Sequence, residues 1–492
     1  MNDTESRLGV VYQVDGDYYY FDAGTDKIIS CDKKEAELAA SILRADPEEK
    51  RKILENHPDF TSFAEQEHLF QCPEHRGFLV PTEKQYKTMV EESCEQIILE
   101  LTQQCNLRCR YCIYNDNHDQ FRSFSSLAMT EAVAFRALDI VLSHLKSDSF
   151  ALTYYGGEPL LNQELIKSTI SYVLKKRPDL KLHVSFTTNL TLMTSEFAAY
   201  LHDVPADEVS VLCSLDGPRD MHDSYRVNTA GRGSFEAAIR GYRILMDHFY
   251  DPEKKRIVSV NTVLTPPYSK KRFDEVNRFF ADQLKLPAEM DHRFTYMDPG
   301  QMEASDYGEE VISGEHEFEM IPLEEWSIAE AEKTGKDADV LEMLCKELWF
   351  ISTRQREIDG GIIRNTVHMA NCIPGQRRLY VSADGSFYTC EKVGQTPPIG
   401  DVHTGLQLER AYRTYYTDFD AYYQPKCDQC WARTLCSRCY DGLMKKDGPD
   451  KNSDGRCGDV RSTVLDLLKL YCRLDTKHHD LLERILKNHE YS

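Results

Sequence analysis

The feature that most constrains the fold is a regular alternation of short apolar segments with longer amphipathic segments between residues 96 and 297. Amphipathic segments such as 129–146 and 234–248 have the apolar spacing of helices. Strand–helix repeats of this kind build a parallel sheet, and ligands bind at the carboxyl ends of its strands. The pattern predicts an α/β fold, a partial (β/α)6 TIM-like barrel over residues 95–302, with strands at 96–101, 150–155, 181–187, 208–214, 256–264 and 293–297.

Residues 1–90 have a different pattern, in which strand-like runs precede helix-like ones. The runs 10–14 and 18–21 flank Asp15-Gly16, a dipeptide typical of a tight hairpin. Three strands followed by three helices are typical of a small winged-helix unit. The other elements of this unit are predicted at 27–31, 33–44, 47–57 and 60–70.

The strand–helix alternation ends after the predicted barrel. Residues 303–370 are predicted to form an acidic connector, 371–459 a cysteine-rich domain, and 460–492 a tail that is helical over 460–487. A chain of 492 residues is longer than one ordinary domain, so several domains are expected.

Composition disfavours several classes of function. Lys and Arg number 59 against 81 Asp and Glu, a net charge of −22, and both nucleic acid and anionic membranes attract basic surfaces instead. The sequence has no apolar run of about 18 residues, and its start, MNDTESRLGVV, lacks the basic and apolar segments of a signal peptide. We therefore expect a cytoplasmic protein without a nucleic-acid or membrane partner. Sixteen cysteines in such a chain indicate metal ligation rather than a disulfide framework.

Three of these cysteines follow the first predicted barrel strand within one loop. Cys105, Cys109 and Cys112 lie in the segment CNLRCRYC, and cysteine thiolates are the usual ligands of iron–sulfur clusters. A four-iron cubane held by three thiolates has one iron open to a further ligand. The alternative is a zinc site or a set of buried cysteines, although zinc favours four closed ligands or a histidine partner.

The segment CNLRCRYC resembles the CxxxCxxC loop of the radical S-adenosylmethionine superfamily, in which an aromatic residue, here Tyr111, precedes the last cysteine. The resemblance implies a [4Fe–4S] cluster on Cys105, Cys109 and Cys112, and S-adenosylmethionine as the cosubstrate, with Tyr111 among its contacts. In such enzymes reductive cleavage yields methionine and a 5′-deoxyadenosyl radical, which abstracts hydrogen from the substrate. The cofactor carries this chemistry, so no side chain is predicted to be catalytic.

A second motif follows the second predicted strand. Gly156-Gly157-Glu158-Pro159 is similar to the segment whose backbone and Glu hold the amino group of S-adenosylmethionine. Taken alone, these four residues are equally compatible with an ordinary turn. Asn189, at the end of another strand, is also predicted to line the cosubstrate site.

A third motif, between residues 214 and 235, is similar to a block found in superfamily members that carry additional clusters. The resemblance implies that Ser214 and Arg226 contact the carboxylate and ribose of the cosubstrate. A guanidinium is suited to this role because it can grip a carboxylate through two parallel hydrogen bonds. An ordinary surface arginine is the alternative.

The C-terminal cysteines resemble the SPASM extension, which holds two auxiliary clusters. Zinc ribbons, which also use paired CxxC units, are the alternative. The family pattern has three residues before its last cysteine, whereas only Ser437 and Arg438 precede Cys439 here. The assignment of Cys439 therefore departs from the pattern. The resemblance implies three [4Fe–4S] clusters in all: auxiliary cluster II on Cys427, Cys430, Cys436 and Cys457, and auxiliary cluster I on Cys372, Cys390 and Cys439.

Auxiliary cluster I has only three predicted cysteine ligands, because no cysteine lies between Cys372 and Cys390. An open iron there could hold a substrate thiolate and lower its pKa, unless Cys345 supplies a fourth ligand. Free cysteine is commonly a small buried hydrophobe. That is the expectation for the six cysteines without an assigned cluster, Cys31, Cys72, Cys94, Cys213, Cys345 and Cys472.

These resemblances imply a radical S-adenosylmethionine peptide maturase that installs thioether cross-links, from cysteine sulfur to carbon, in a ribosomally made precursor peptide. Residues 1–90 resemble a leader-peptide recognition element, which would bind by strand addition at 27–31 beside the helix at 60–70. An external electron donor of the flavodoxin or ferredoxin type is expected. Two alternatives remain: another oxidative maturase, such as a formylglycine-forming anaerobic sulfatase-maturating enzyme, and a non-catalytic zinc or redox-sensing protein.

Overall fold

The fold is taken from a computed structural model, which describes residues 3–72, 74, 78–115, 122–265, 270–287, 289–296, 328–329, 348, 351, 372–391, 396–436 and 439–489. Cys345 and nearly all of the predicted 303–370 connector lie outside these residues.

The N-terminal module, residues 3–72, is an antiparallel sheet of order β1-β2-β3-β4 with three helices. Asp15 and Gly16 form the hairpin at positive φ angles of 51° and 105°, as the sequence predicts for this dipeptide. The helices and three of the strands are confirmed close to their predicted bounds, and β1 is an addition. The elements are β1 (Thr4–Ser6), β2 (Gly9–Val14), β3 (Asp17–Asp22), β4 (Ile28–Cys31), α1 (Lys33–Arg44), α2 (Pro47–Glu55) and α3 (Pro58–Gln66).

The barrel strands run in the order β10-β9-β8-β7-β6-β5, and every neighbouring pair is parallel. This confirms the predicted parallel α/β sheet and places six strand ends at one edge. Its elements are α4 (Glu83–Ser93), β5 (Gln96–Thr102), α5 (Glu131–Leu142), β6 (Ser149–Gly156), α6 (Gln163–Lys176), β7 (Lys181–Thr188), α7 (Ser195–Asp203), β8 (Glu208–Ser214), α8 (Arg219–Tyr225), α9 (Phe235–His248), β9 (Arg256–Leu264), α10 (Lys270–Arg278) and β10 (His292–Tyr296).

The C-terminal region continues the barrel sheet, which the sequence pattern did not predict. Strand β11 (Arg378–Val381) pairs in parallel with β5, and β12 (Ser386–Tyr388), β13 (Gly400–Asp401) and β14 (Gly405–Leu406) extend the sheet by antiparallel pairing. These strands are two to four residues long, too short for an alternating apolar pattern to be recognised.

Helices make up most of the remaining C-terminal region. The predicted tail helix begins earlier than expected, at Asp454, and breaks at His478, so Cys457 lies in its first turn. Of the helices described, none combines the length and apolar character that a bilayer-spanning helix requires. The remaining elements are α11 (Leu408–Tyr412), α12 (Phe419–Asp428), α13 (Tyr440–Leu443), β15 (Met444–Lys445), β16 (Gly448–Pro449), α14 (Asp454–Lys477) and α15 (His479–His489).

The two faces of the N-terminal sheet pack against different partners. One face, with Val11 and Tyr20, packs against the alanines of α1. The other face shares a hydrophobic core with the C-terminal region, where the Phe21 ring meets the edge of Trp431 at 6.0 Å between centroids. The N-terminal module is therefore docked on the cysteine-rich region through buried apolar surface.

Candidate functional site

Three cysteines and seven predicted cosubstrate contacts surround one cavity of about 250 Å³ at the carboxyl ends of the barrel strands. The cysteines are Cys105, Cys109 and Cys112, all on the loop after β5. We call this space the barrel cavity. The structure thus brings together every residue that the sequence assigns to this site: Tyr111, Gly156, Gly157, Glu158, Asn189, Ser214 and Arg226.

The cysteine loop is anchored to the segment that carries Arg226. The backbone N–H of Arg108 donates to the carbonyl of Val227 at 2.7 Å, and the N–H of Arg110 donates to that of Tyr225 at 2.9 Å. The Arg108 guanidinium also donates to the Cys105 carbonyl at 2.8 Å. These bonds fix the loop that carries the three thiols relative to Arg226.

The two glycines are needed because the loop after β6 lies directly on the end of β5. A Cβ atom at Gly156 would fall 2.3 Å from the Thr102 carbonyl oxygen, and one at Gly157 would fall 2.0 Å from that of Gln104. The backbone N–H of Gly157 donates to the Thr102 carbonyl at 2.9 Å. Any larger side chain would push this loop away from the cysteine loop.

Glu158 is buried, and its carboxylate joins two strand ends. It accepts hydrogen bonds from Thr188 Oγ1 at 2.7 Å and from the backbone N–H of Asn189 at 2.8 Å. Burial raises the pKa of Glu158, and these bonds act in the opposite direction. Oε2 accepts only the Asn189 bond among the described residues, so it can still accept one from a cationic ligand.

Asn189 holds the cysteine loop against the end of β7. Its side-chain amide donates to Asn106 Oδ1 at 2.9 Å and lies 3.8 Å from the Cys105 sulfur, while its Oδ1 accepts from Thr191 Oγ1 at 2.6 Å. These contacts indicate that Asn189 positions the loop.

Arg226 lies in a buried polar group with Tyr111 and Asp216. Arg226 Nη1 donates to the Tyr111 hydroxyl at 2.6 Å, and that hydroxyl donates to the Asp216 carboxylate. Burial raises the pKa of Asp216, and the Arg226 guanidinium, 3.7 Å away, opposes the shift. The Nε of Arg226 is buried without a hydrogen-bond partner among the described residues, so the guanidinium can still donate to a ligand.

The backbone of Arg226 is braced by residues that the sequence prediction did not assign to the site. Ser234 Oγ donates to the Arg226 carbonyl at 2.6 Å and lies 3.1 Å from His222 Nε2. Burial lowers the pKa of His222 well below its usual value, and Arg226 lowers it further, so this imidazole is neutral near pH 7. The sequence prediction also missed Asp216. The signal that could have identified it is its position, since it is a carboxylate two residues beyond the end of β8 and directly before Gly217-Pro218.

The donor groups of the barrel cavity fit the implied cluster and cosubstrate. Burial raises the pKa of the Cys105 thiol to about 11 and that of Cys112 to about 12, so a bound cation is needed to hold both as thiolates near neutral pH. At Gly156 the absence of a side chain lets a second ligand approach the backbone closely. The unpaired Nε of Arg226 offers that ligand a hydrogen-bond donor.

A second cavity, of about 410 Å³, is lined by the four cysteines predicted to hold auxiliary cluster II. Cys427 and Cys430 lie at the end of α12 and just beyond it, and Cys457 lies in α14. Burial raises the pKa of Cys427, and the neighbouring Cys430, Cys436 and Cys457 raise it further. We call this space the four-cysteine cavity. Cysteines from separate parts of the chain meet there.

The three cysteines predicted for auxiliary cluster I are arranged less closely. Cys390 and Cys439 both lie near Tyr415, whose pKa is raised by burial and further by these two thiols. Cys372 is exposed. Of the cysteines expected to be structural, Cys72, Cys94, Cys213 and Cys472 are buried and Cys31 is half-buried.

As the side chains stand, no group of three or more His, Cys, Asp or Glu among the described residues is arranged to hold a single metal ion. The cavities lined by Cys105 and by Cys427 have volumes of about 250 and 410 Å³.

Residues 99–280 match the model of the Radical SAM superfamily. The cysteine-type anaerobic sulfatase-maturating enzyme of Clostridium novyi (strain NT) is 26% identical over 198 residues, 39% of this chain and 49% of that protein. The radical SAM cyclopropyl synthase TigE of Paramaledivibacter caminithermalis is 26% identical over 200 residues, 39% of each protein.

Among solved structures, native anSMEcpe with bound AdoMet and Cp18Cys peptide superposes with a TM-score of 0.52 at 18% identity, covering 80% of this chain and 99% of that one. This likeness concerns the fold. The chain spans about half or less of the length of the first curated relatives it matches.

Proposed function

We propose that this chain, whose residues 99–280 match the model of the Radical SAM superfamily, is a peptide maturase that cleaves S-adenosylmethionine in the barrel cavity and forms thioether cross-links in a precursor peptide. The observation that carries the proposal is that Cys105, Cys109, Cys112 and all seven predicted cosubstrate contacts line one cavity. That combination supports a cluster with one open iron beside a cosubstrate site.

Within this proposal Cys105, Cys109 and Cys112 hold the [4Fe–4S] cluster. When bound, the cluster supplies the electron for reductive cleavage of S-adenosylmethionine, which yields the radical that removes hydrogen from the peptide. The protein binds and orients the cosubstrate and keeps water out. Leu107 and Tyr114 are 2% and 5% exposed and line the barrel cavity, where they exclude water.

Arg226 is proposed to bind the carboxylate of the cosubstrate. Its guanidinium is fixed by Tyr111 and Asp216 and retains a buried, unpaired Nε. A charge-assisted hydrogen bond in such a buried site contributes about 1.5–3 kcal/mol. Glu158 is proposed to accept from the amino group through Oε2, and Ser214 lines the same cavity.

The N-terminal module is proposed to bind the leader of the precursor peptide. Strand β4 lies at the edge of its sheet and pairs only with β3 among the described residues. Beside it is a groove of about 120 Å³ lined by Ile29, Phe60 and Leu69, with Phe63 44% exposed. An extended peptide could add to the open edge and place an apolar side chain in this groove.

The thioether chemistry rests on auxiliary cluster I. Cys372, Cys390 and Cys439 are proposed as its ligands, and three ligands leave a position for the thiolate of the peptide. Cys390 and Cys439 share the surroundings of Tyr415, which supports a common site for these two.

A second candidate is formylglycine formation, because an anaerobic sulfatase-maturating enzyme is among the relatives that match the barrel. The two reactions have different products. In a thioether the target cysteine keeps its sulfur and gains a bond to carbon, whereas conversion of cysteine to formylglycine removes the sulfur and leaves an aldehyde.

The test is anaerobic reconstitution with iron and sulfide, followed by incubation with dithionite, S-adenosylmethionine and a cysteine-bearing peptide encoded beside the gene. We expect 5′-deoxyadenosine, and a peptide that is lighter by a pair of hydrogen atoms, retains its sulfur and resists alkylation. Loss of the cysteine sulfur would favour formylglycine formation. Zinc in place of iron, without 5′-deoxyadenosine, would contradict both candidates.

A further inference from the structure

The wall of the four-cysteine cavity includes residues from the opposite end of the chain. Glu5 and Ser6 of β1, and Arg7 just after it, line the cavity together with Cys427, Cys430, Cys436 and Cys457. The Arg7 guanidinium lies 3.3 Å from the Asp428 carboxylate, next to Cys427. The N-terminal module therefore forms part of the proposed cluster site.

Glu5 is paired with an arginine of the same cavity wall. The indole N–H of Trp431 donates to Glu5 Oε2 at 2.7 Å, and Arg461 Nε lies 3.7 Å from Glu5 Oε1. The Arg461 side chain also lines the four-cysteine cavity together with Cys430. Glu5 and Arg461 thus form a charged pair in the wall of the cavity that holds this cysteine.

Charges around this cavity act directly on a cluster inside it. The described wall contains four basic residues and two carboxylates: Arg7, Lys426, Arg433, Arg461, Glu5 and Asp454. A cluster held by four thiolates is negatively charged and becomes more so on reduction, so a nearby cation favours the reduced state. Local charge, hydrogen bonds to sulfur and solvent exposure are the factors that set cluster potentials.

We propose that Glu5 and Arg461 set the reduction potential of auxiliary cluster II, so that the N-terminal module is a working part of that cluster site as well as a peptide-binding unit. The positive charge of Arg461 in the cavity wall raises the potential, and Glu5 moderates this effect by pairing with Arg461. This inference rests on the proposed assignment of the four cysteines to auxiliary cluster II.

The two proposed roles of the N-terminal module, leader binding and the cluster site, lie at opposite edges of its sheet. The proposed leader site is the β4 edge, and the cavity wall is β1, at the other edge of the same four-stranded sheet. Three strand spacings of about 4.8 Å separate them by roughly 14 Å. A point variant at β1 therefore tests the cluster role without altering the leader groove.

The test uses the full chain with Cys105, Cys109 and Cys112 replaced by Ala, so that only auxiliary clusters remain. Glu5→Gln and Arg461→Gln are compared in this background by iron content and by redox titration followed by electron paramagnetic resonance. A further Cys427→Ala variant identifies the signal of auxiliary cluster II. The matched control is Lys469→Gln, which breaks a 2.9 Å ion pair between α14 and Asp3 outside the cavity wall.

We expect the midpoint potential of auxiliary cluster II to shift upward in Glu5→Gln, downward in Arg461→Gln, and not at all in Lys469→Gln. Glu5 is half exposed, so its neutral replacement should not impair folding. Loss of iron from Arg461→Gln counts in favour only together with the upward shift in Glu5→Gln. If the potentials did not move, or moved in the same direction in both variants, this inference would be wrong, while the assignment of the four cysteines to auxiliary cluster II would stand. A background variant that holds no iron would instead overturn the auxiliary-cluster assignment itself.

Discussion

The barrel cavity and the four-cysteine cavity are both lined by cysteines, but their other residues differ. The barrel cavity combines three thiols with polar groups from successive strand ends and with Arg226, which is paired with the buried Asp216 behind it. The four-cysteine cavity has a fourth thiol, and the charged residues of its wall are mostly basic, Arg7 and Arg461 among them. A site that must accept a second ligand needs an open metal position and preorganised donors, whereas a site that holds or transfers electrons needs closed ligation and tuned charge.

The largest expected effect comes from removing the barrel ligands. With Cys105, Cys109 and Cys112 all changed to Ala, cleavage of S-adenosylmethionine should fall to background while the iron of the auxiliary clusters is retained. The reason is that the cosubstrate requires the open iron held by these thiolates. Iron analysis and quantification of 5′-deoxyadenosine provide the measurement.

The matched control for that variant is Cys94→Ala, since Cys94 is buried but lies outside both cavities. It should cleave S-adenosylmethionine normally. If the triple variant produced 5′-deoxyadenosine at the wild-type yield, the barrel cavity would not be the open site that cleaves S-adenosylmethionine.

A smaller effect is expected from Arg226→Lys, which keeps the charge beside Asp216 but loses the planar guanidinium. Losing hydrogen bonds to a charged ligand costs about 1.5–3 kcal/mol, so the Kd for S-adenosylmethionine should rise roughly 10- to 150-fold. Equilibrium dialysis with labelled cosubstrate measures this rise. Arg177→Lys, at the exposed Asp179 pair, is the control, and equal affinities in the two variants would contradict a binding role for Arg226.

A still smaller effect is expected at the leader groove. Phe63→Ala removes an exposed ring beside the β4 edge and should weaken binding of the precursor peptide by about 1–2 kcal/mol, roughly 5- to 30-fold. Cleavage of S-adenosylmethionine without peptide should not change. Leu127, 40% exposed on the barrel side, offers a control of similar exposure. Fluorescence anisotropy of a labelled peptide gives the affinities, and unaltered binding by Phe63→Ala would argue against this groove.

The barrel site was predictable because each of its motifs directly follows a strand with strong apolar periodicity. Parallel strands bring their carboxyl ends to one edge, so Cys105, Gly157 and Ser214 had to lie near one another. The predicted parallel sheet of an α/β fold and the resemblance to the radical S-adenosylmethionine superfamily are both confirmed. The predicted domain boundaries and ligand roles stay predictions.

Other contacts had no local signal in the sequence. Glu5 and Arg461 meet because one face of a small sheet packs on Trp431, and no periodicity connects residues so far apart in the chain. The parallel pairing of β11 with β5 is equally non-local. Asp216 lies within the segment 214–235 that resembles the superfamily, yet its role depends on burial beside Arg226, which only the folded chain provides.

The last expected effect is on stability, and it distinguishes the barrel sheet from helix α14 by pH. The half-buried His292 of β10 packs between Phe280 and Phe294, 2.9 Å from Thr262 Oγ1, and its desolvation there lowers its pKa from 6.5 to about 4. The folded chain thus keeps this imidazole neutral where the unfolded chain protonates it, so its contribution to stability is complete above pH 6.5 and declines as the pH falls toward 4. Helix α14, in contrast, contains no histidine.

The local opening free energy of β9 and β10 should therefore decrease by about 2 kcal/mol between pH 7 and pH 5, with no such decrease in α14. Hydrogen exchange, corrected for the intrinsic rate at each pH, measures both regions in one sample. His292→Gln keeps a hydrogen-bonding group toward Thr262 but does not titrate, so β10 in this variant should lose most of its pH dependence. If β10 of the variant still responded to pH as the wild type does, another group in the barrel would have to be titrating, because the same carboxylates are present in both proteins.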